Sequence, residues 1–251
     1  MDYLSEEEQT QLNEYIEQFK LMERNEQIEF LIRSVPFITR QEILENRKRI
    51  KQINQFFEVF SVIMKNEYEQ TIFESNSEAT KESLALFRSI QLIGAALWMH
   101  LLQVILEEKI QVDFSEMIKK HPILIKRSYY INKAFELFFV GDIYSGLYLL
   151  SPQIEWWFRE VAKEAGEQTS NLKRFPVEHS KTLTPIFETE ALKSYLGEDR
   201  HWLFRKLMIE ELMNIRNKVA HGLEFNDNGY CAYFVLCIMK LLFEQIGKIT
   251  S

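Results

Sequence analysis

Apolar residues recur at helical spacing along most of this chain, and the breaks between those stretches are short. From Glu6 to Ile32 the positions Leu12, Tyr15, Ile16, Phe19, Met22, Ile28 and Leu31 predict one helix with a buried stripe. The sequence SVPF stops it, because Pro36 lacks a donor and restricts Val35. A second helix is expected from about Arg40 to Phe73, with Ile43, Ile50, Ile53, Phe57, Phe60 and Ile63 turned to a core. SNSEAT is a cluster of capping and turn residues, and a third helix follows it. Its most apolar part, Ile90 to Leu106, is interrupted by Gln91, His100 and Gln103. A spanning helix needs about 20 mainly apolar residues, so a buried helix is expected here and no membrane partner.

A soft boundary near Pro122 divides the chain into an N-terminal helical region, 1–125, and a second helical region, 126–251. In the second region NKAFELFF and the stretch ending in EVAKEAG suggest two helices meeting at Ser151-Pro152. Ser151 would be the cap, Pro152 the first helical residue and Gly166 the stop. The span from Glu167 to about Arg200 holds Pro176 and Pro185 and one expected short helix at Glu188–Leu196. It is long enough to suggest a functional flap. HWLFRKLMIEELMNIRNKVAH reads as one continuous helix, DNG as a turn, and YCAYFVLCIMKLLFEQIG as the last helix. The expected class is all-α, with four helices of the second region forming a bundle.

Composition agrees with that pattern. Only 8 glycines and 5 prolines punctuate 251 residues, and 46% of the chain is hydrophobic, enough to build a core. A formal net charge of −7 argues against a surface that coats nucleic acid broadly. The most basic window carries Lys119, Lys120, Lys126, Arg127 and Lys133. It reads as a solvated face, with a nucleic-acid patch as the alternative. Cys231 and Cys237 lie in an apolar run at a spacing that matches no metal or redox motif, so buried thiols are expected. The acidic opening MDYLSEEEQTQLNEY has no secretory or transit character, and a cytoplasmic location is expected.

Candidate chemistry concentrates in NIRNKVAHG, residues 214–222. On a continuous helix Phe204, Met208, Leu212, Ile215 and Val219 make an apolar stripe. Glu210, Asn214, Asn217 and His221 then fall on the polar side. Gly222 suits the position after a helix end. A permanently charged guanidinium near a side chain that ordinarily titrates close to neutral pH suits phosphate chemistry. Cleavage of RNA without a metal needs a base for the 2′-OH, an acid for the departing 5′ oxygen and a cation for the phosphorane. One Arg/His pair lacks a proton carrier, and two pairs related by a twofold axis supply both. A plain helix end enriched in basic residues is the competing explanation.

RNKVAHG resembles the RN-x-x-AHG signature of a branch of the HEPN superfamily, and PQIEWWFREVAKEAG is similar to the helix that precedes it there. The resemblance covers roughly residues 130 to 248. It implies a HEPN-like four-helix bundle over 126–251 and a homodimer with a cleft between subunits. Implied with it is metal-independent endoribonuclease activity, as in a bacterial toxin or anti-phage defence effector. Arg216 and His221 would be catalytic and Asn217 the polar motif residue, while Glu155 and Arg159 are candidates for orienting them. A surface ion pair is the alternative for those last two. RNA, tRNA included, is the implied substrate, and an antitoxin or regulatory protein the implied partner. Toxins of the family usually carry a tyrosine where this chain has Leu223, which puts control through that position in doubt. A non-catalytic HEPN-like scaffold is the other function the resemblance implies. No pair of histidines has metal-ligand spacing, so neither metal nor other cofactor is expected. His100 is read as a hydrogen-bonded core residue, while His121 precedes a proline in the basic window, His179 lies in the long connection and His201 begins a helix, all weaker candidates than His221. Trp156 and Trp157 are read as anchors of the bundle or of a dimer seam.

Overall fold

The computed structural model describes residues 10, 14, 17–23, 26, 30, 33–53, 63–65, 71–74, 78–107, 114–119, 121–174, 177–210, 214–222 and 228–249. Among these the fold is helical, with two short antiparallel hairpins attached. Helix α1 is Arg40–Ile53, followed by β1 (Ile63–Lys65) and β2 (Thr71–Glu74), then α2 (Glu78–Glu107) and α3 (Ser115–Lys119). A 3-10 turn at Leu124–Arg127 leads into α4 (Ser128–Phe139) and α5 (Ile143–Glu164). Strands β3 (Ser170–Arg174) and β4 (Val177–Ser180) precede α6 (Leu183–Phe187), α7 (Glu190–Leu196), α8 (Glu198–Met208), α9 (Ile215–Ala220) and α10 (Asn228–Ile249).

Several boundaries differ from the periodic reading. The N-terminal stripe is interrupted at Met22 and Glu23, where the Glu23 N–H donates to Glu26 Oε2 at 3.1 Å and restarts the chain. Helix α1 does not run on to Phe73. Ile63 faces Glu74 and Met64 faces Phe73 across a hairpin, and Ile63, Thr71, Ile72 and Phe73 are residue types that favour extended backbone. Phe57 and Phe60 lie outside the described residues. Helices α4 and α5 meet at Gly141-Asp142 instead of Ser151-Pro152. Asp142 caps α5 by accepting from the Ser145 N–H at 3.1 Å, and Pro152 sits inside the helix. Gly166 does end α5, with φ 86°. The 167–200 connection is mostly structured: a hairpin pairing Ser170 with Ser180, then two short helices whose Leu183, Ile186, Phe187, Leu192 and Leu196 are buried.

The core is organised around α10, which is buried without interruption from Tyr230 to Met239. A helix apolar on all sides belongs at the centre of a bundle. It packs along α2 and also touches α5, while α4 and α5 form the other close pair. One core therefore runs through both halves of the chain, from Leu86 and Ile90 to Phe158, Leu203 and Tyr233. Gly94 of α2 crosses α10 at Gly229, and a Cβ added at Gly94 would lie 1.9 Å from the Gly229 carbonyl oxygen. Gly229, expected in a turn, lies inside α10, where a Cβ would come within 2.8 Å of the Gln91 carbonyl oxygen. The segment before α1 is bolted to α10 by polar contacts: Tyr233 Oη donates to the Pro36 carbonyl at 2.9 Å and accepts from the Ile38 N–H at 3.1 Å. Among the described residues no helix is long and apolar enough to cross a membrane.

Both cysteines are buried and unbridged. His121 is 1% exposed, and its Nδ1 accepts from the Ile123 and Leu124 N–H groups at 3.3 and 3.4 Å. Its ring meets that of Trp157 edge-on at 6.3 Å. Burial lowers the His121 pKa to about 4. His201 packs on Phe187 and contacts the Phe187 carbonyl at 2.7 Å. The side chains of His100 and His179 lie outside the described residues.

Candidate functional site

The helix carrying the motif is not continuous with α8. That helix closes at Met208, and Asn214 stands between it and α9 with φ 27°, a left-handed conformation that asparagine tolerates better than most residues. The Asn214 side chain then caps α9 by accepting from the Asn217 N–H at 3.3 Å. The expected stripe from Phe204 to Val219 therefore belongs to two helices, and Leu212 lies outside the described residues. At the other end His221 is the C-cap, its N–H donating to the Asn217 carbonyl at 3.0 Å. Gly222 follows with φ 63°, a conformation that costs a side-chain-bearing residue and is free for glycine. Six helical residues, fixed at both ends by their own sequence, thus hold Arg216 and His221.

Arg216 reaches across to α5. Its Nε donates to Glu155 Oε2 at 2.5 Å and its Nη1 to Asn217 Oδ1 at 3.2 Å. The other carboxylate oxygen, Oε1, accepts from Arg159 Nη2 at 2.5 Å, and Arg159 Nη1 donates to the Lys181 carbonyl at 2.5 Å. Four of the five residues singled out from sequence, Arg216, Asn217, Glu155 and Arg159, therefore form one connected cluster. The Glu155–Arg159 pair is more than a surface pair one turn apart, because Arg216 shares it and both side chains are mostly covered, 20% and 17% exposed. The hairpin expected as a flap is fastened here through Lys181.

Charge in the cluster is unbalanced. Burial pushes the Glu155 carboxyl up, but the hydrogen bonds and charges of Arg216 and Arg159 outweigh it and hold the group below the ordinary carboxylate range. Glu155 thus stays ionised, and two guanidinium groups share one carboxylate. The Arg216 side chain is 28% exposed, and its Nη2 has no partner among the described residues. This leaves a fixed cation that an anion can approach.

The fifth residue, His221, is exposed and its ring has no partner among the described residues. Five residues along a regular helix correspond to about 140° of rotation and about 7.5 Å of rise, so one chain presents Arg216 and His221 on different sides of α9. Lys218, between them, was not singled out from sequence. It is half-buried without a carboxylate partner among the described residues, and burial lowers its ammonium pKa. Leu223 lies outside the described residues. Among the described residues no three His, Cys, Asp or Glu side chains stand together as a metal site. Trp157 is fully buried against Phe158 and Tyr195, and Trp156 is half-buried with the Arg127 guanidinium 5.1 Å above its ring.

No protein-family model, curated protein or solved structure matches this chain.

Proposed function

We propose that this protein is a HEPN-type, metal-independent endoribonuclease that works as a homodimer. The observation that carries the reading is the Arg216 guanidinium, oriented by Glu155 and Asn217 with one edge open, on the same short helix that ends at an exposed His221. In the reaction one His221 takes the proton of the 2′-OH, whose oxygen attacks the adjacent phosphorus. The P–O5′ bond breaks, and His221 of a second copy protonates the departing oxygen. Arg216 donates hydrogen bonds to the phosphorane oxygens, where charge builds up. The products are a 2′,3′-cyclic phosphate and a 5′-hydroxyl end. Because the two side chains leave α9 on different sides, the complement needed by each comes from the twofold mate. A toxin or defence effector is the biological class proposed, with tRNA among the substrates to test and an antitoxin or regulator as partner.

The same ion cluster suits a second reading. Glu155 occupies the Arg216 Nε, as it would in a non-catalytic scaffold that binds RNA or protein through the bundle. The two are separated by incubating purified protein, with chelator, on total RNA and tRNA beside Arg216→Ala and His221→Ala. The ribonuclease reading expects cyclic-phosphate ends from wild type and a loss of roughly 10²- to 10⁴-fold in each variant. Equal cutting by all three assigns the activity to a contaminant and ends the proposal. Intact RNA throughout favours the scaffold.

A further inference from the structure

Between the 3-10 turn and the start of α4 the chain leaves an aromatic face uncovered. Tyr129 is 73% exposed, Ile125 48% and Tyr130 42%. These large side chains lie at the junction of the 3-10 turn and α4. The two tyrosine rings meet edge-on at 5.5 Å, so they form one unit. Cations are interleaved with them: Lys126, 59% exposed and 3.6 Å from Glu160, and Arg127, which has no carboxylate partner among the described residues and lies over Trp156. This is the reverse of the sign expected of a protein with net charge −7.

We propose that Tyr129, Tyr130 and Ile125, with Lys126 and Arg127, form a stacking platform for the unpaired bases of a single RNA strand. The inference takes its substrate class from the ribonuclease reading. Aromatic faces beside cations fit a polyanion whose bases show their π-faces, and a duplex hides those faces in its own stack. One cation of the platform contacts α5. Arg127 covers Trp156, and Trp156 is the neighbour of Glu155, about 100° around α5, which holds Arg216. A strand whose bases rest on the tyrosines therefore has Lys126 and Arg127 beside it.

The test uses the full chain and a fluorescent RNA of about 12 nucleotides with 2′-O-methyl sugars, which binds but has no 2′-OH to attack. Fluorescence anisotropy is expected to show binding of the single strand. Replacement of both tyrosines by alanine should weaken it by roughly tenfold or more, and replacement of both by phenylalanine should leave it within about twofold. A duplex of the same sequence should bind more weakly and ignore the tyrosines. Equal affinity of the alanine variant and wild type, or no binding by wild type, overturns the platform. So does an alanine variant that sediments as a monomer where wild type is a dimer, since the face is then a self-association seam. Cleavage of ordinary RNA is scored separately. A tyrosine-dependent single-strand affinity with no His221-dependent cleavage keeps the platform and removes the ribonuclease reading.

Discussion

Lys206 and Arg216 sit on consecutive helices and meet their carboxylates in opposite ways. Lys206 is 5% exposed, and its Nζ donates to Glu210 Oε2 at 2.7 Å and to Ser83 Oγ at 3.0 Å. Glu210 also accepts from Arg205, and Glu82 takes Trp202 Nε1 at 2.9 Å and Arg40 Nη2 at 3.3 Å. Three helices, α1, α2 and α8, are closed around charges that find their partners inside the protein. The Arg216 cluster uses the same residue types but is left open: two guanidinium groups share Glu155, and the surplus faces solvent. Charge type alone therefore does not distinguish a staple from a site. What distinguishes them is whether the donors outnumber the acceptors and whether the excess is reachable.

The largest effect should come from breaking the closed cluster. Lys206→Met removes the most buried cation of the network and leaves Glu210 to Arg205 and Ser83, and Glu82 to Arg40 and Trp202. Losing one partner of a buried pair costs up to about 3–5 kcal/mol, and the arginines that remain offset only part of it. Urea unfolding should report a loss of that size, and RNA cleavage measured well below the lowered Tm should be unchanged. A loss under about 1 kcal/mol would mean that water reaches this network, and that the two clusters do not differ in kind.

His121 extends the comparison to a group with one nitrogen paired and one not. Its pKa is lowered by burial from an ordinary value near 6.5 to about 4, so the unfolded chain binds its proton first as pH falls. The stability tied to the neutral ring is complete above pH 6.5 and is progressively lost as pH drops toward 4. That loss is on the order of 3 kcal/mol. His121→Asn keeps an acceptor for the Ile123 and Leu124 N–H groups and cannot gain the charge. Its Tm should fall less than that of wild type between pH 7 and pH 5. Parallel curves would show that the ring is hydrated in solution.

These two clusters were not equally legible in sequence. Arg216, Asn217 and His221 stand out through the resemblance of RNKVAHG to a known motif, and Glu155 and Arg159 lie one helical turn apart in the stretch that resembles the preceding helix. The Lys206 network joins residues more than a hundred positions apart, Ser83 to Glu210 and Glu82 to Trp202, and no local pattern links them. Helical class was legible in the spacing of apolar residues, but several element ends were not. Periodicity carried α1 on through residues that pair as strands, and a proline that suits a helix start hid the stronger break at Gly141-Asp142. Asn214 likewise reads as an ordinary polar position until its backbone is seen to be left-handed.

Glu155→Gln tests the open cluster next. Glutamine keeps an oxygen for one arginine but turns an amide toward the other and removes the charge that both share. If Glu155 positions Arg216, kcat should drop by about tenfold with KM nearly unchanged, because the guanidinium would still attract RNA while pointing less well. The pH dependence has a definite sign. The folded carboxyl is held below its ordinary range, so its stabilisation is present above that range and is lost as pH falls through the folded value. The variant should therefore show a flatter acid limb in Tm against pH. A fall in KM-based binding alone, with kcat intact, would mean that Glu155 is a staple after all.

Arg159→Ala should have the smallest consequence, and it marks where the site ends. Arg159 touches Glu155 on one side and the Lys181 carbonyl on the other, so it stands behind Arg216. Its loss leaves the Glu155–Arg216 contact in place and frees the exit of the hairpin formed by β3 and β4. Cleavage is expected to fall only about threefold, equivalent to about 0.6 kcal/mol. Amide exchange should rise at Lys181, whose N–H donates to the Thr169 carbonyl at 3.0 Å. If Arg159→Ala instead removed activity as completely as Arg216→Ala, the guanidinium would have to reach the phosphate itself. The boundary between open and closed charge would then run along α5, behind Arg159, and the hairpin would be part of the RNA-binding wall.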